Sequence, residues 1–236
     1  MNTDRKLLSL GDRMKQYYEG VYSLKLPFRM PVIIRLDGKS FSNWTRNLQK
    51  PFDDGFIKSM GGLANYLCQK IQTTQFAYAQ SDEISLLLHN YKRLNTEPFF
   101  GNEIQKMVSI SASTASAFFT NFYGKIAVFD ARAFVLPEAE VVNYFVWRQR
   151  DAIRNSILML AQSMFSPKMM QEKNIDELQE MMLQKGMDWK KLAVVRQRGQ
   201  AVFKNEEGEW RVDDEIPIFS QDKEYIERLL AVESEG

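Results

Sequence analysis

Apolar residues near the start of the chain change from one spacing to another, which indicates a strand followed by a helix. A mostly apolar run at residues 32–36 follows Pro31 and ends at Asp37-Gly38, so it predicts a buried strand. Asp53 can cap the helix that comes next, because carboxylates are favoured at the N-cap position. The apolar positions of this helix recur every three or four residues, and they are Phe56, Met60, Leu63, Leu67 and Ile71.

The next apolar pattern alternates on both sides of a short polar stretch and predicts a β-hairpin. Phe76 and Tyr78 alternate before the turn, which we place at Ser81-Asp82, and residues 84–88 alternate after it. Helical spacing returns over residues 103–123, and residues 126–136 are typical of a fourth strand. The order strand, helix, strand, strand, helix, strand across residues 31–136 is that of a ferredoxin-like palm, so we expect an α+β fold.

The C-terminal part of the chain continues with two helical patterns and one hairpin pattern. A long helix is predicted over residues 141–165, a shorter one over 176–185, and a hairpin with strands at 200–203 and 210–212. We therefore divide the chain into a palm-like catalytic core at residues 1–139 and a C-terminal region at residues 140–236. That region should pack its two helices, its hairpin and an acidic tail on the palm.

Composition excludes several classes of protein and site. Cys68 and His89 are the single cysteine and the single histidine of the sequence, so neither an intramolecular disulfide nor a thiolate zinc site can form within one chain. They lie far apart and inside apolar stretches, which disfavours a catalytic Cys-His pair. No window approaches the roughly 18 apolar residues that cross a bilayer, and the first ten residues are charged where a signal peptide would be apolar. We expect a cytoplasmic protein without a membrane partner.

The net charge of +1 conceals an uneven distribution along the chain. Residues 1–204 carry a net charge of +9, and residues 205–236 carry −8. A basic body suits a polyanionic partner, although a solvated surface explains a charge excess equally well.

Two carboxylates occupy turns at one edge of the predicted sheet. In the ferredoxin-like order we expect the first strand to be central and antiparallel to the strand that opens the hairpin, so that the end of strand one meets the hairpin turn. Asp37 and Asp82 lie at those two places, with the Gly38 carbonyl and Glu83 beside them. Carboxylate and carbonyl oxygens are the ligands that Mg²⁺ prefers. This layout is typical of nucleotide-polymerising palms and of nucleotide cyclases.

Each acidic turn alone has a structural explanation, because Asp-Gly and Ser-Asp-Glu are common in turns and caps. Their coincidence is more informative, since an unpaired carboxylate beside an apolar strand is costly and a shared cation would relieve the repulsion. Backbone N–H groups of Lys39, Ser40 and Phe41 can face an anion. Basic residues that flank this edge in sequence and could neutralise phosphates are Arg35, Lys39, Lys50, Lys106 and Arg132.

Four motifs resemble those of the tRNA-His guanylyltransferase superfamily, in the family's order and at its spacing. They are Arg-Leu-Asp-Gly-Lys-Ser-Phe at residues 35–41, Tyr-Ala-Gln-Ser-Asp-Glu at 78–83, Phe-Asp-Ala-Arg at 129–132 and Trp-Arg-Gln-Arg-Asp at 147–151. The resemblance covers about residues 30–204. It ends at Gln197-Arg198-Gly199, which is similar to the family's Arg-Lys-Gly element.

The resemblance implies a palm-like enzyme that adds nucleotides to RNA 5′ ends and so extends the strand in the 3′ to 5′ direction. In the family, ATP first activates a 5′-monophosphate as a 5′-adenylylated end, or a 5′-triphosphate serves directly. The 3′-hydroxyl of GTP or another incoming NTP then attacks. Two Mg²⁺ ions held by Asp37, the Gly38 carbonyl and Asp82 are implied. The implied partners are tRNA and nucleoside triphosphates, and the implied assembly is a homotetramer.

The resemblance also implies roles for residues around these acids. Glu83 joins Asp37 and Asp82 as a catalytic residue. Lys50, Asp53, Ser81 and Lys106 match positions around the nucleotide, to which Lys39, Ser40 and Phe41 would add backbone donors. Residues implied to contact a nucleotide or the RNA 5′ end are Arg132, Arg148, Gln149, Asp151, Asn155 and Arg198. For those on the long helix, a solvated, salt-bridged face is the alternative.

Two positions differ from the motifs of eukaryotic guanylyltransferases. Ser42 and Ile153 stand where those enzymes have histidine, and residues 176–192 contain no counterpart to their Lys-Asn-Glu segment. Those features are associated with recognition of the tRNA-His anticodon. The pattern is therefore closer to the tRNA-His guanylyltransferase-like proteins, which resemble template-dependent repair enzymes for 5′-truncated tRNAs.

Our leading hypothesis is a template-dependent 3′ to 5′ nucleotidyltransferase that repairs truncated tRNA. The alternatives are a tRNA-His guanylyltransferase that adds one G, a nucleotide cyclase on the same palm, and a non-enzymatic RNA-binding module with a degenerate palm. The Trp-Arg-Gln motif of the long helix disfavours the cyclase. The presence of both metal acids disfavours the non-enzymatic module.

Overall fold

The computed structural model describes residues 8–91 and 95–231. Its strands are β1 (Val32–Gly38), β2 (Thr74–Gln80), β3 (Glu83–Leu88), β4 (Phe129–Val135), β5 (Gln200–Lys204) and β6 (Trp210–Asp213). Its α-helices are α1 (Leu10–Met14), α2 (Phe41–Trp44), α3 (Asp54–Lys70), α4 (Ile104–Tyr123), α5 (Glu138–Met164), α6 (Pro167–Met170), α7 (Ile175–Gln184), α8 (Val194–Arg198) and α9 (Glu224–Glu227). A π-helical turn covers Lys15–Glu19, and 3-10 turns cover Gly20–Tyr22, Phe99–Asn102 and Trp189–Lys191.

The strands form one six-stranded antiparallel sheet in the order β4-β1-β3-β2-β5-β6. The first four strands with α3 and α4 have the ferredoxin-like order, so the predicted α+β fold is confirmed. β1 is central, as expected, but our expectation that it is antiparallel to the strand opening the hairpin is wrong. It pairs with β3, which closes the hairpin, and with β4 on its other side.

The helical crossover explains this difference in strand direction. α3 connects β1 to β2 as a crossover of the kind that joins parallel strands, and β3 then folds back into the gap between them. β1 and β2 therefore run in the same direction and end at the same edge of the sheet. Asp37 and the Ser81-Asp82 turn meet there for that reason.

Two elements start three residues away from their predicted positions. β4 begins at Phe129, not at residue 126, because the preceding residues bond to other elements. The Ala127 N–H donates to Thr120 Oγ1 on α4 (3.0 Å), and the Val128 carbonyl accepts from the Lys39 N–H (2.8 Å). α5 begins at Glu138, directly after Pro137, which suits the start of a helix.

Helices cover both faces of the sheet, and each face has its own apolar core. α3 and α4 cover the face formed by Ile34 and Leu36 of β1, where Phe119 is also fully buried. α5 covers the opposite face, on which Ile33 and Tyr78 pack. Residues after β6 bury apolar side chains in this second core, and they are Ile216, Phe219, Ile226 and Leu230.

The sheet continues across the boundary that we predicted between residues 139 and 140. β5 pairs with β2, and β6 pairs with β5, so the C-terminal hairpin extends the palm sheet. The two-part domain division stays a prediction, and residues 232–236 of the acidic tail lie outside the described residues. Within residues 8–91 and 95–231, none of the helices combines the length and apolar character needed to cross a bilayer.

Two adjacent glycines of α3 differ in how closely β5 approaches them. A Cβ on Gly61 would overlap the side-chain amide of buried Gln200, which donates to the Ile57 carbonyl (2.7 Å), whereas a Cβ on Gly62 would meet open space. We expect Gly61→Ala to lower the free energy of unfolding by about 1–3 kcal/mol through overpacking. Gly62→Ala should raise it by up to about 1 kcal/mol, because alanine favours the helix. Urea unfolding measures both, and equal effects would contradict the close approach.

Candidate active site

Asp37 and Asp82 lie together at the edge where β1 and β2 end. Asp37 is the penultimate residue of β1 and pairs in register with Glu83, the first residue of β3. The Gly38 N–H donates to the Asp82 carbonyl (3.1 Å), which joins the two turns directly. Ser81 adopts a left-handed conformation (φ 49°) in the two-residue turn between β2 and β3. That conformation is uncommon outside glycine, and strained backbone of this kind is often retained at functional sites.

Burial and charge both act on Asp82. Burial raises the pKa of its carboxyl group, and the nearby negative charge of Asp37 raises the pKa further. Hydrogen bonds act in the opposite direction, including one from Ser81 Oγ to Asp82 Oδ1 (3.1 Å). Two partly buried carboxylates therefore repel each other at this edge, and a cation bound between them would remove that cost.

Glu83 forms a buried ion pair with Arg148 of α5. Arg148 Nε donates to Glu83 Oε1 and Arg148 Nη2 to Glu83 Oε2, each at 2.7 Å. Glu83 is 9% exposed and Arg148 is 5% exposed. Burial raises the pKa of Glu83, although the hydrogen bonds from Arg148 offset part of this rise. Asp151, one turn later on α5, also contacts Arg148 (3.2 Å).

A cavity of about 600 Å³ opens beside Asp82, within the usual size range of small-molecule sites. It brings together most of the residues that the sequence assigned to the metal and the nucleotide. These are Gly38, Ser40, Phe41, Lys50, Asp53, Ser81, Asp82 and Asn155. Lys39 is exposed next to this group, and its backbone N–H is bonded to Val128.

The loop between β1 and α3 forms one wall of the cavity, and Asp53 organises it. One carboxylate oxygen of Asp53 accepts from the Phe56 N–H (2.8 Å) as the N-cap of α3, and the other accepts from the Gln49 N–H (3.1 Å). The start of a long helix is favourable for phosphate groups, because its N–H groups and its dipole both attract anions. Phe41 is buried beneath the loop, where its ring stacks on Trp44 (5.2 Å between centroids).

Several residues assigned from the sequence lie elsewhere or are already engaged. Lys106 is in the first turn of α4, where its ammonium group contacts Glu103 (3.3 Å). It lies about 20 Å along the helix axis from Phe119, the α4 residue whose ring packs against Phe41 of the cavity. Gln149 donates to the Pro217 carbonyl (2.8 Å) and accepts from the Phe219 N–H (2.8 Å). Arg198 donates to the Ile216 carbonyl (2.9 Å), and Arg132 lies across from Arg35 in the sheet.

The residues of the opposite wall of the cavity were not predicted from the sequence. This wall comes from α5 and from the segment around α8, and its members include Ser156, Met159, Gln162, Arg196 and Gln197. Spacings of four and three place Met159 and Gln162 on the same helix face as Asn155, so helical periodicity could have identified those two. The sequence carried no comparable signal for Arg196, which bonds to Asp54 across more than a hundred residues (2.6 to 3.0 Å).

Comparison with known proteins supports the motif resemblance. The family model Thg1, described as tRNAHis guanylyltransferase, matches residues 11–137, more than half of the chain. The chain belongs to the Thg1 family. It is 44% identical to a bacterial tRNA(His) guanylyltransferase (Thg1)-like protein solved in complex with ATP, with a TM-score of 0.88 over 94% of this chain and 99% of that one. A structure of such a protein with GTP is 42% identical, with a TM-score of 0.84 over the same shares.

Relatives found by comparison of sequences match over shorter segments. A tRNA(His) guanylyltransferase of Debaryomyces hansenii is 30% identical over 140 residues, which is 53% of this chain and 51% of that protein. An uncharacterised protein of Acanthamoeba polyphaga mimivirus is 30% identical over 188 residues, 67% of this chain and 64% of its own length. The chain thus spans about half to two thirds of the length of these curated relatives.

The Glu83–Arg148 pair of this Thg1-family chain can be tested by its effect on stability. Arg148→Met leaves Glu83 buried and unpaired, so we expect the free energy of unfolding to fall by about 3–5 kcal/mol. Replacing both partners, as Arg148→Met with Glu83→Leu, should recover much of this loss because no uncompensated charge is left. Urea unfolding gives each value.

Arg196→Met is the matched control, because Arg196 also binds a carboxylate through two nitrogens but its pair with Asp54 is 34% and 69% exposed. It should cost less than about 1 kcal/mol. A double variant of Arg148 and Glu83 that loses the sum of the two single losses would show that the pair is not energetically coupled.

Proposed function

We propose that this chain is a template-dependent 3′ to 5′ nucleotidyltransferase that adds NTPs to the 5′ end of truncated tRNA in the cytoplasm. The observation that carries the proposal is a nucleotide-sized cavity lined by Asp82, whose carboxylate lies near that of Asp37. Membership of the Thg1 family supports nucleotidyl transfer, and the bacterial relatives solved with ATP and with GTP support nucleoside triphosphates as substrates. Template dependence and tRNA repair go further than those relatives and rest on the sequence motifs.

The residues at the edge fit a hard divalent cation. Two carboxylates and the Gly38 carbonyl would hold such a cation, and phosphates and water would complete its shell. In the described part of the chain no three His, Cys, Asp or Glu side chains gather as a ready metal site. Repulsion between Asp37 and Asp82 favours that occupancy. Two Mg²⁺ ions held there would activate the attacking oxygen and neutralise the leaving phosphate.

Residues of the chain then position two successive displacements. In the first, an oxygen of the RNA 5′-monophosphate attacks the α-phosphorus of ATP, and pyrophosphate leaves. In the second, the 3′-hydroxyl of the incoming NTP attacks the 5′-phosphorus of the RNA, and AMP leaves. The N–H groups at the start of α3, the Ser81 hydroxyl and Lys50 hold phosphates near Asp82, and the cavity walls exclude water from the nucleotide.

Addition of a single G to tRNA-His is the second candidate, because the family description and the Debaryomyces relative carry that name. The two histidine positions argue against it. Ser42 is exposed on the short helix α2, while Ile153 packs in the apolar cluster between α5 and α7 and offers no polar group to RNA. A cyclase or a non-enzymatic RNA-binding module has no observation in its favour.

The proposal includes a homotetramer. Residues 10–22 form a helical segment without a buried residue, and an isolated helix of this length is marginal in water. An apolar stripe on this segment is 42 to 79% exposed and consists of Leu10, Met14, Tyr17, Tyr18, Val21 and Tyr22. Contact with another copy would cover the stripe, and light scattering of the purified chain gives the number of copies.

Replacing either metal acid should abolish nucleotide addition. We expect Asp37→Asn and Asp82→Asn each to lower kcat at least about 100-fold, because each removes charge stabilisation from the transition state. Asp130→Asn is the matched control, since Asp130 pairs in register with Asp37 on β4 but its side chain is 58% exposed and contacts Arg132. Incorporation of labelled nucleotide measures the rates, and circular dichroism checks the fold. More than about a tenth of wild-type activity in either acid variant would contradict the metal assignment.

The base opposite the missing nucleotide should decide which NTP is added. A 5′ end that lacks one nucleotide leaves its partner in the acceptor stem unpaired, so the complementary NTP should be preferred by about 1–3 kcal/mol, the cost of a lost polar pairing. The measurement is kcat/KM for four NTPs on truncated tRNAs that differ only in that base. Addition of G whatever the base, with loss of activity when a His anticodon is changed, would instead identify a tRNA-His guanylyltransferase.

A further inference from the structure

The long helix α5 presents a basic and aromatic face that no role described above uses. Trp147, Arg150 and Arg154 follow one another at spacings of three and four, so they lie on one side of the helix, and all three are exposed. We call these three residues the outer face of α5. Arg148 and Gln149, which lie between Trp147 and Arg150, point inward. Arg148 is bonded to Glu83, and Gln149 is bonded to the backbone of residues 217–219.

The outer face of α5 adjoins the sheet surface that carries Asp37. Ile33 of β1 packs in the core beneath α5, and strand alternation puts Arg35 and Asp37 on that same side. The Arg35 guanidinium lies 5.8 Å from the centre of the Trp147 ring. Arg132 is the register partner of Arg35 on β4. A row of arginines therefore extends from Asp37 across the sheet to Trp147 and continues along α5.

Positive charge exceeds negative charge along this path. Arg35, Arg132, Arg150 and Arg154 carry four positive charges, and the acids are Asp37, where the path begins, Asp130 and Asp151. Asp151 contacts Arg148, which is buried. The contact of Asp130 with Arg132 is long (3.6 Å), and both side chains are more than half exposed. Such an exposed pair contributes little to stability, so a phosphate can take the place of Asp130 as the partner of Arg132.

Resting on the proposed function, we propose that the outer face of α5 is a docking surface for the RNA strand that enters the active site. Phosphates would bind Arg150 and Arg154, and a base or sugar would stack on Trp147, which is 53% exposed. RNA is favoured over an acidic peptide for two reasons. The surface joins the sheet face of Asp37, to which the RNA 5′ end must come, and an arginine-flanked aromatic ring suits stacked bases.

Charge reversal on this face tests the proposal. The variant Arg150→Glu with Arg154→Glu is compared with Lys58→Glu with Lys70→Glu, which changes the net charge equally on α3, across the sheet. The probe is a 5′-monophosphorylated tRNA lacking its first nucleotide, and its Kd is measured by fluorescence polarisation at several salt concentrations. We expect the arginine variant to bind at least about tenfold more weakly and its salt slope to fall by about 1.4 to 1.8, since two phosphate contacts are lost.

Two further measurements separate RNA docking from a general loss of structure. The Kd for ATP should be unchanged in the arginine variant, because neither residue lines the cavity. Trp147→Ala should weaken tRNA binding about tenfold and Trp147→Phe should restore most of it, as stacking requires. Equal tRNA affinities and salt slopes in the arginine and lysine variants would overturn the proposal. If the wild-type chain binds tRNA through these arginines yet adds no nucleotide, the docking surface stands and the proposed function fails.

Discussion

The ion pair between Arg148 and Glu83 joins the long helix α5 to the sheet edge on which the site depends. Glu83 is in register with Asp37 and directly follows Asp82, so whatever holds Glu83 also holds the strand ends that carry both acids. Arg148 does this through two hydrogen bonds of 2.7 Å in a buried setting. Buried pairs of this kind are costly to break because they leave one charge without a partner. The position of α5 and the position of the acids are therefore coupled.

Burial at the same edge of the sheet destabilises the ionised form of Asp82. Among residues 8–91 and 95–231 no basic side chain pairs with Asp82 as Arg148 pairs with Glu83, and the pKa of Asp82 is raised by burial and by the charge of Asp37. The fold thus satisfies one of three neighbouring carboxylates internally and leaves two in repulsion. That arrangement costs stability in the absence of a cation, and it favours binding of one. Functional sites commonly keep such unfavourable local features because the surrounding structure supports them.

α5 has different tasks on its different sides. One side packs against the second core of the sheet, another lines the cavity through Asn155, Ser156 and Met159, and the outer face remains exposed. A helix of 27 residues can serve all of these because its side chains point in every direction around one rigid axis. The cavity, the acids and the proposed RNA surface are consequently held in one fixed relation.

The sequence by itself determined the kinds and the order of the elements, because local apolar periodicity reports which face of a helix or strand is buried. It located the turn at Ser81-Asp82, the cap at Asp53 and the ferredoxin-like order, and the motifs identified the family. Periodicity does not say how strands are oriented in a sheet, so β1 was wrongly expected to be antiparallel to the strand that opens the hairpin. The partners of Arg148 and Arg196 lie 65 and 142 residues away in the chain. Only the tertiary structure brings such residues together, which is why it alone decided that Arg148 is buried and that Lys106 lies about 20 Å along α4 from the aromatic side chains beneath the cavity.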